Sequence, residues 1–243
     1  MDKVTEVKYD KNQDFNRITR FLHSFRHDAV GEYIAELARE IPDRPVRVLD
    51  VGCATGKTYE KLEAARYRID YTGFDYKEEF IAAANMRHGS KPNATFLQAN
   101  AADPSMYTPG SADLVISLET MEHMPERDVV RAVENICHIV KPRLFIASVP
   151  VEIGPSLWVK LLGAKAMRYK RTPYTFSHAI NAGLYRLNKL PAHKTSHRGF
   201  NWFWLEQTIR HNAPIRETRS LPFRWIPKQL TPTVMFVAEP VQD

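Results

Sequence analysis

The sequence has few of the features that mark secreted, metal-clustered or membrane-spanning proteins. It holds only two cysteines, Cys53 and Cys137, which lie far apart and without metal-binding spacing. This argues against a disulfide framework or a zinc cluster and favours a reducing cytosol. The N-terminal stretch MDKVTEVKYDKNQDF is polar and lacks the apolar core of a secretory signal. No apolar run approaches the roughly 20 residues that span a bilayer, so we expect a cytoplasmic protein.

Acidic residues are missing from one long stretch of the chain. No Asp or Glu occurs between Ile153 and Leu205, whereas that stretch carries nine Lys or Arg residues. Because the whole chain has a formal net charge of +6, the rest of the sequence is net acidic. A basic character confined to one segment indicates a local anionic partner rather than a generally basic protein.

Apolar patterning elsewhere predicts an α/β fold. The expected strands cover 46–51, 69–75, 94–99, 112–118, 144–149, 215–221 and 233–239, and the expected helices cover 15–41, 57–66, 77–88, 125–140 and 201–211. Apolar strands with helices between them imply a parallel sheet covered on both faces, and right-handed crossovers make it doubly wound. The last two strands are close in sequence and could pair antiparallel. The prediction is a mostly parallel, Rossmann-like, seven-stranded sheet.

The strongest motif, VLDVGCATG over Val48–Gly56, lies where the first expected strand turns into a helix. Glycines there let the backbone pass close to a ligand, and the helix N-terminus supplies free N–H donors. The order Asp-x-Gly-x-x-x-Gly differs from the dinucleotide fingerprint, and the Lys-Ser/Thr pair of a P-loop is missing. Asp50 in this loop would repel a pyrophosphate and would suit a cationic ligand.

With this loop the sequence resembles the class I S-adenosylmethionine-dependent methyltransferases, nearest to the ubiquinone-biosynthesis O-methyltransferase-like group. The resemblance covers about Val46 to Val149, and it implies S-adenosylmethionine as the cofactor. The glycine loop would hold the methionine part, with Asp50 reaching the amino group directly or through water. The implied cofactor-binding residues in the loop are Asp50, Gly52, Cys53, Ala54 and Gly56.

The resemblance also assigns residues at the ends of later strands. Asp75 would accept hydrogen bonds from the ribose hydroxyls, and Tyr76 would stack near the adenine. The adenine-contacting position, usually Asp in the family, falls on Asn100, with Asp103 as the alternative if the register differs. The remaining implied contacts lie beside Asn100 and at the end of the fourth strand: Ala101, Leu118 and Glu119.

A cluster of acidic residues and histidine follows the fourth strand, at Glu119, Glu122 and His123. It resembles a stretch of the ubiquinone-biosynthesis group, and also the magnesium-binding Glu-x-x-Glu-His of small-RNA 2′-O-methyltransferases. Two carboxylates and an imidazole could hold a divalent ion, with His193 or His197 as a further ligand. The metal-free interpretation is preferred. In it His123, or secondly His197, is the general base for an acceptor hydroxyl.

The basic segment is expected to build the acceptor side. Within Ser156–Met167, Leu157, Leu161 and Leu162 are predicted to share a helix face beside Trp158. Basic amphipathic helices with Trp often lie on anionic membranes, and the quinone-pathway relatives carry a lipid-contacting insertion in a comparable place. The residues therefore favour a small or lipid-linked anionic acceptor and peripheral membrane contact. Nucleic acid ranks lower because no RNA-binding module is evident.

Together these features predict one methyltransferase domain in four parts. They are an N-terminal helical cap (1–44), a cofactor-binding core (45–150), a basic acceptor-side insertion (151–200) and a final helix with a strand pair (201–243). The expected reaction is O-methylation of the anionic acceptor. Two alternatives stay open: a metal-assisted RNA 2′-O-methyltransferase, and a cofactor-binding regulatory protein without catalysis.

Overall fold

The computed structural model describes residues 17–166, 174–191 and 199–241, and the side chains of these except 17–23 and 164–166. The strands are β1 (Val46–Val51), β2 (Ile69–Asp75), β3 (Ala94–Gln98), β4 (Leu114–Leu118), β5 (Leu144–Pro150), β6 (Ile215–Leu221) and β7 (Thr233–Ala238). The α-helices are α1 (Arg17–Glu40), α2 (Lys57–Ala64), α3 (Glu78–His88), α4 (Glu126–Glu134), α5 (Pro155–Ala166), α6 (Phe176–Gly183) and α7 (Trp202–Asn212). None of these helices is both long and apolar enough to cross a bilayer.

The seven strands form one sheet in the order β3-β2-β1-β4-β5-β7-β6. Strands β1 to β5 run parallel, whereas β7 pairs antiparallel with both β5 and β6. The predicted mostly parallel sheet with an antiparallel final pair is therefore confirmed. The strand order reverses beside β1, and in open α/β sheets ligands bind at the carboxyl ends of the strands at such a point.

Helices cover both faces of the sheet because alternate residues of each strand point to opposite sides. On one face, α1 and α2 pack through residues such as Val30, Ile34 and Leu62. On the other face, α4 and α7 pack through residues such as Val129 and Ile209. Both apolar layers are fully buried, which fixes the strand register and so the relative positions of the strand ends.

The structure differs from the predicted elements in two places. The helix expected over 125–140 is α-helical only to Glu134 and continues as a π-helix over Asn135–Val140, which ends at Lys141 with φ +50°. The segment after β5, where the sequence has weak periodicity, forms α5 and α6. These helices pack on each other, and the Trp158 indole donates a hydrogen bond to the Ala179 carbonyl at 3.0 Å.

Candidate functional site

A cleft opens at the carboxyl edge of the sheet, above the end of β1. It is bounded by the loop from β1 to α2, by one turn of α1 and by the end of β4. Its lining residues are Arg26, His27, Gly52, Cys53, Ala54, Thr55, Lys57, Thr58 and Leu118. The predicted loop residues Gly52, Cys53 and Ala54 are among them, and so is Leu118 from β4.

The loop bends so sharply that its glycines are required. Gly52 and Gly56 have φ of +84° and +79°, where L side chains are strained. A Cβ on Gly52 would also lie 2.2 Å from Cγ2 of Thr120. The Gly52 and Cys53 amides donate to the Phe74 carbonyl at 2.8 and 3.1 Å, which holds the loop against β2.

Asp50 lies beneath this loop and does not line the cleft. Its side chain is 1% exposed and accepts a hydrogen bond from the Tyr71 hydroxyl and another from Thr58. Burial raises the pKa of Asp50 to about 7, although both hydrogen bonds act in the opposite direction. The structure therefore gives Asp50 a supporting position, and its contact with the cofactor amino group stays a prediction.

Asp75 ends β2 at the edge of the cleft. Its carboxylate accepts the Ala54 amide at 3.2 Å and the Lys77 amide at 3.0 Å, so it joins the glycine loop to the start of α3. Burial raises the pKa of Asp75, and the two amides partly offset this effect. Tyr76, the next residue, is 65% exposed, and the Lys77 ammonium lies 5.7 Å from the centre of its ring.

The loop after β3 holds the remaining predicted adenine contacts. Asn100 is exposed, and its side-chain oxygen accepts the Ala102 amide at 2.9 Å. Ala101 is half-buried, and its carbonyl accepts the Tyr107 hydroxyl at 2.8 Å. Asp103, the alternative candidate, caps the short 3-10 helix Pro104–Met106. Asn100 is therefore the candidate that lies nearer to the end of β3.

One cation faces the cleft from α1. Arg26 is almost completely buried, and one of its terminal nitrogens lies 3.7 Å from Glu119 Oε1. Among the described residues its Nε has no hydrogen-bond partner. A buried N–H group that is left unpaired is costly, so this guanidinium is suited to an anionic group entering the cleft.

The predicted acidic and histidine cluster is only partly assembled. Glu122 is fully buried, with Oε1 4.0 Å from Nε2 of the half-exposed His123. Glu119, which has φ +54°, points its carboxylate towards Arg26. Where side chains are described, no three or more His, Cys, Asp or Glu residues form a group that could hold a metal. His193 and His197 lie outside the described residues, so their roles stay predictions.

The acceptor-side segment packs against the end of β5. Glu152, which is buried just after that strand, accepts a hydrogen bond from the Lys160 ammonium at 2.9 Å. The predicted shared face of Leu157 and Leu162 is wrong. Leu157 is fully buried against the core while Leu162 is 69% exposed, because positions five apart on a helix point in different directions.

Comparison with known proteins identifies the family. A family described as "Methyltransferase domain" matches residues 48–143. The ubiquinone biosynthesis O-methyltransferase of Neisseria meningitidis serogroup C (strain 053442) is 30% identical over 175 residues, which cover 70% of this chain and 68% of that protein. The chain belongs to the class I S-adenosylmethionine-dependent methyltransferases.

The chain is also similar to other O-methyltransferases. The O-methyltransferase rstn1 of Aspergillus nomiae is 29% identical over 63% of this chain and 71% of that protein. The chain spans little more than half the length of some other ubiquinone biosynthesis O-methyltransferases. The magnesium protoporphyrin IX methyltransferase of Synechocystis PCC 6803, solved with bound SAH, aligns over 93% of this chain and 88% of that one. Its TM-score is 0.58 at 15% identity, a likeness of fold.

The cleft of the methyltransferase fits S-adenosylmethionine, the cofactor of its family. The cofactor carries a carboxylate, and Arg26 offers a buried Nε–H group that has no hydrogen-bond partner in the part of the chain that the structure describes. It also carries two positive charges and a ribose, and the buried carboxylates of Asp50 and Asp75 lie at the loop and at the end of β2. The charges and donors of the residues present therefore match those of the cofactor.

Sequence analysis of the methyltransferase missed Arg26, His27 and Tyr71. Arg26 and His27 lie on a helix far from the glycine loop in sequence, and only the packing of α1 over the sheet brings them to the cleft. Tyr71 lies inside β2, where its side chain is buried. Its hydroxyl was the one available signal, because a buried tyrosine usually has a hydrogen-bond partner.

Proposed function

We propose that this protein transfers the methyl group of S-adenosylmethionine to an oxygen atom of a small or lipid-linked anionic acceptor. The observation that carries the proposal is the convergence of Arg26, the glycine loop and Leu118 on one cleft at the carboxyl edge of the sheet. When bound, the cofactor supplies a methyl group on a sulfonium that leaves readily. The protein then has to position both partners in line and accept one proton.

Each part of the cleft has a role in this proposal. Arg26 binds the carboxylate of the cofactor, and the backbone of the glycine loop holds its methionine part. Asp75 accepts the ribose hydroxyls, while Asp50 supports the loop from below. The adenine side and the cleft wall are completed by the remaining predicted contacts: Gly56, Tyr76, Asn100, Ala101, Leu118 and Glu119.

His123 is the proposed group that accepts the proton of the acceptor hydroxyl. Its side chain is 43% exposed in the short 3-10 helix Met121–His123 that follows β4, and it lies beside the buried carboxyl group of Glu122. An imidazole titrates near neutral pH, which suits a general base. Replacing His123 by Asn should lower kcat by about a hundredfold and leave cofactor affinity unchanged. An equal kcat in the two proteins would exclude this role and leave His197 as the candidate general base.

The acceptor side supports an anionic and partly apolar acceptor. Lys160, Arg186 and Lys189 are the described cations of the segment that lacks acidic residues, although Lys160 already pairs with Glu152. Val159 and Leu162 are exposed on the outer side of α5, at 60% and 69%. An exposed apolar surface with nearby basic residues is suited to a lipid-linked molecule or to peripheral contact with an anionic membrane.

Calorimetry and methyl-transfer assays test the proposal. S-adenosylmethionine and S-adenosylhomocysteine should bind, whereas NAD and ATP should not. With radiolabelled cofactor, transfer should be found to hydroxylated anionic small molecules or their lipid-linked forms, and a chelator should not abolish it. Transfer to RNA alone that is lost with chelator would select the metal-assisted alternative. Tight binding without transfer to any acceptor class would indicate a regulatory protein.

Membrane contact has its own test. Vesicles containing anionic lipid should sediment the protein at low salt, and replacing both Val159 and Leu162 by Ser should reduce the bound fraction several-fold. A buried residue such as Val30 is unsuitable as a control, because replacing it would destabilise the core. The matched control is Leu97→Ser, since Leu97 is also exposed and lies on β3, an edge strand of the sheet. If the protein does not co-sediment with the vesicles, membrane contact is excluded and a soluble acceptor is favoured.

A further inference from the structure

A buried tyrosine–carboxyl pair lies under the cofactor loop. Tyr71 in β2 donates its hydroxyl hydrogen to Asp50 at the end of β1, and both side chains are buried. In the sheet Asp50 pairs with Gly73, two residues beyond Tyr71, so the tyrosine ring lies on the same face as the carboxyl group. A Cβ on Gly73 would be 3.0 Å from the Tyr71 ring, and the absence of a side chain there leaves space for the pair.

The surroundings of this pair disfavour a full negative charge on Asp50. Burial is the main cause and outweighs the hydrogen bonds that Tyr71 and Thr58 donate, which favour the ionised form. Cys53 of the loop carries a buried thiol, and its pKa is raised by burial as well. The nearest charge that acts on Asp50 is another carboxylate, Asp75, and it raises the pKa further. With a pKa of about 7, Asp50 holds its proton in part of the molecules near neutral pH. Three titratable or charged groups line the cleft on its open side, Arg26, His27 and Lys57, and the ring of Tyr59 packs 5.3 Å from that of Tyr71.

We propose that Tyr71 and Asp50 form a proton-linked pair that lets the site distinguish the sulfonium cofactor from its thioether product. The sulfonium form carries one more positive charge than the thioether. Its entry favours the ionised form of Asp50, whose proton is released to the solvent, while the Tyr71 hydroxyl donates to the carboxylate that remains. The thioether lacks this charge, so its binding does not favour the ionised form of Asp50. The inference rests on the proposed assignment of the cleft as the cofactor site.

Titration calorimetry in buffers of different ionisation enthalpy measures the protons released on binding. Near pH 6 the α-amino groups of both nucleosides are almost fully protonated, so protons released there do not come from them (α-amino pKa about 7.7–8.0). S-adenosylmethionine should release close to one proton per site at about pH 6, and progressively less as the pH rises. Its affinity should increase several-fold from about pH 6 to about pH 7.5. S-adenosylhomocysteine should release little and bind with nearly constant affinity.

Matched variants isolate the pair. Tyr71→Phe removes the donor that favours the ionised carboxylate, so the midpoint of proton release should rise by about one pH unit, and affinity for the sulfonium form at pH 7 should fall up to about tenfold. Tyr59→Phe is the control. Its ring packs 5.3 Å from that of Tyr71, but its hydroxyl bonds Asn93 at 3.0 Å. Asp50→Asn should abolish the proton release, whereas His27→Asn should leave it unchanged.

The outcomes separate this inference from the proposed function. Equal proton release with the two nucleosides, or a midpoint unchanged by Tyr71→Phe, would overturn the inference while leaving the cofactor site intact. If Tyr71→Phe does not fold, Asp50→Asn decides: loss of the proton release supports the pair, and its persistence overturns it. If neither nucleoside binds the wild-type protein, the cofactor-site assignment fails and this inference fails with it.

Discussion

Buried aspartates at the two edges of the sheet have pKa values shifted in opposite directions. At the amino edge, Asp113 just before β4 accepts hydrogen bonds from Arg44 Nη2 at 2.7 Å and from Arg47 Nη2 at 3.0 Å. These cations hold the pKa of Asp113 well below its usual range. At the carboxyl edge, Asp50 accepts hydrogen bonds from the hydroxyls of Tyr71 and Thr58, and Asp75 is held chiefly by backbone amides. Burial raises the pKa of both.

Under the proposed function, this difference separates a residue that stabilises the fold from residues that serve the cofactor site. Removing a carboxylate from water is unfavourable, and two guanidinium groups compensate for it at Asp113. At Asp50 the compensation is incomplete in the ligand-free protein, and a cationic ligand would complete it. Carboxyl groups with raised pKa values in a cleft are typical of functional sites. The comparison therefore predicts that cofactor binding depends on residues at the carboxyl edge and is independent of Asp113 at the amino edge.

Gly52→Val should have the largest effect. The branched side chain would meet Thr120 and occupy a φ of +84°, so we expect cofactor binding to be lost and the free energy of unfolding to fall by about 2–4 kcal/mol. Gly163→Val in α5 is the control, because a Cβ there has no atom within 4 Å. Calorimetry and urea unfolding measure both quantities. Normal binding by Gly52→Val would show that the cofactor does not use this loop.

Asp50→Asn should make the ligand-free protein more stable at alkaline pH. An aspartate with a raised pKa keeps its proton in the folded state between about pH 4 and 7, whereas the unfolded chain has lost it, so wild-type stability falls as the pH rises through that window. At pH 8 we expect the variant to be more stable by about 2–4 kcal/mol, with no difference at pH 4. Urea unfolding at both pH values checks this. If the variant is less stable than wild type at pH 8, the charge of the Asp50 carboxylate is compensated in the folded protein and the prediction is wrong.

Much of the fold could be predicted from the sequence because most of its strands are short segments rich in apolar or β-branched residues, and helical periodicity separates them. The bounds of β1, β2 and β6 agree with the prediction, and the glycine loop lies where the motif placed it. The acceptor-side helices were harder to predict. Leu157 is buried by contacts with the core, which the pattern of a single helix does not reveal.

The candidate site could be predicted only where its residues are adjacent to strand ends. Asp75 and Leu118 follow from the rule that parallel strands end at one edge. Arg26 does not, because its place depends on how α1 crosses the sheet. The metal hypothesis for Glu119 depended on a short motif, but the conformation after β4 turns its carboxylate to Arg26. Side-chain direction in an irregular turn is set by tertiary contacts that spacing does not encode.

Arg26→Ala should weaken binding at the carboxyl edge with a smaller effect than Gly52→Val. Losing a charge-assisted partner for a carboxylate costs about 1.5–3 kcal/mol, so affinity for S-adenosylhomocysteine should fall about 10–100-fold. Affinity for 5′-methylthioadenosine, which has no carboxylate, should be unchanged. Arg39→Ala is the control on the same helix, since its Nε bonds the Ala35 carbonyl. An equal loss for both nucleosides would assign Arg26 to the fold instead.

Asp113→Asn should show the reverse pattern, with stability lost and cofactor affinity unchanged. Both arginine partners are about 40% exposed, so solvent screens the ion pairs and the expected loss at pH 7 is about 1–2 kcal/mol. Because the pKa of Asp113 is lowered in the folded state, its contribution is present above about pH 4 and is lost as the pH falls further. The difference between wild type and variant in urea unfolding should therefore shrink progressively as the pH is lowered below about 4. A weakened affinity for S-adenosylhomocysteine at pH 7 would show that the two edges are coupled, and the separation between a stabilising edge and a binding edge would no longer hold.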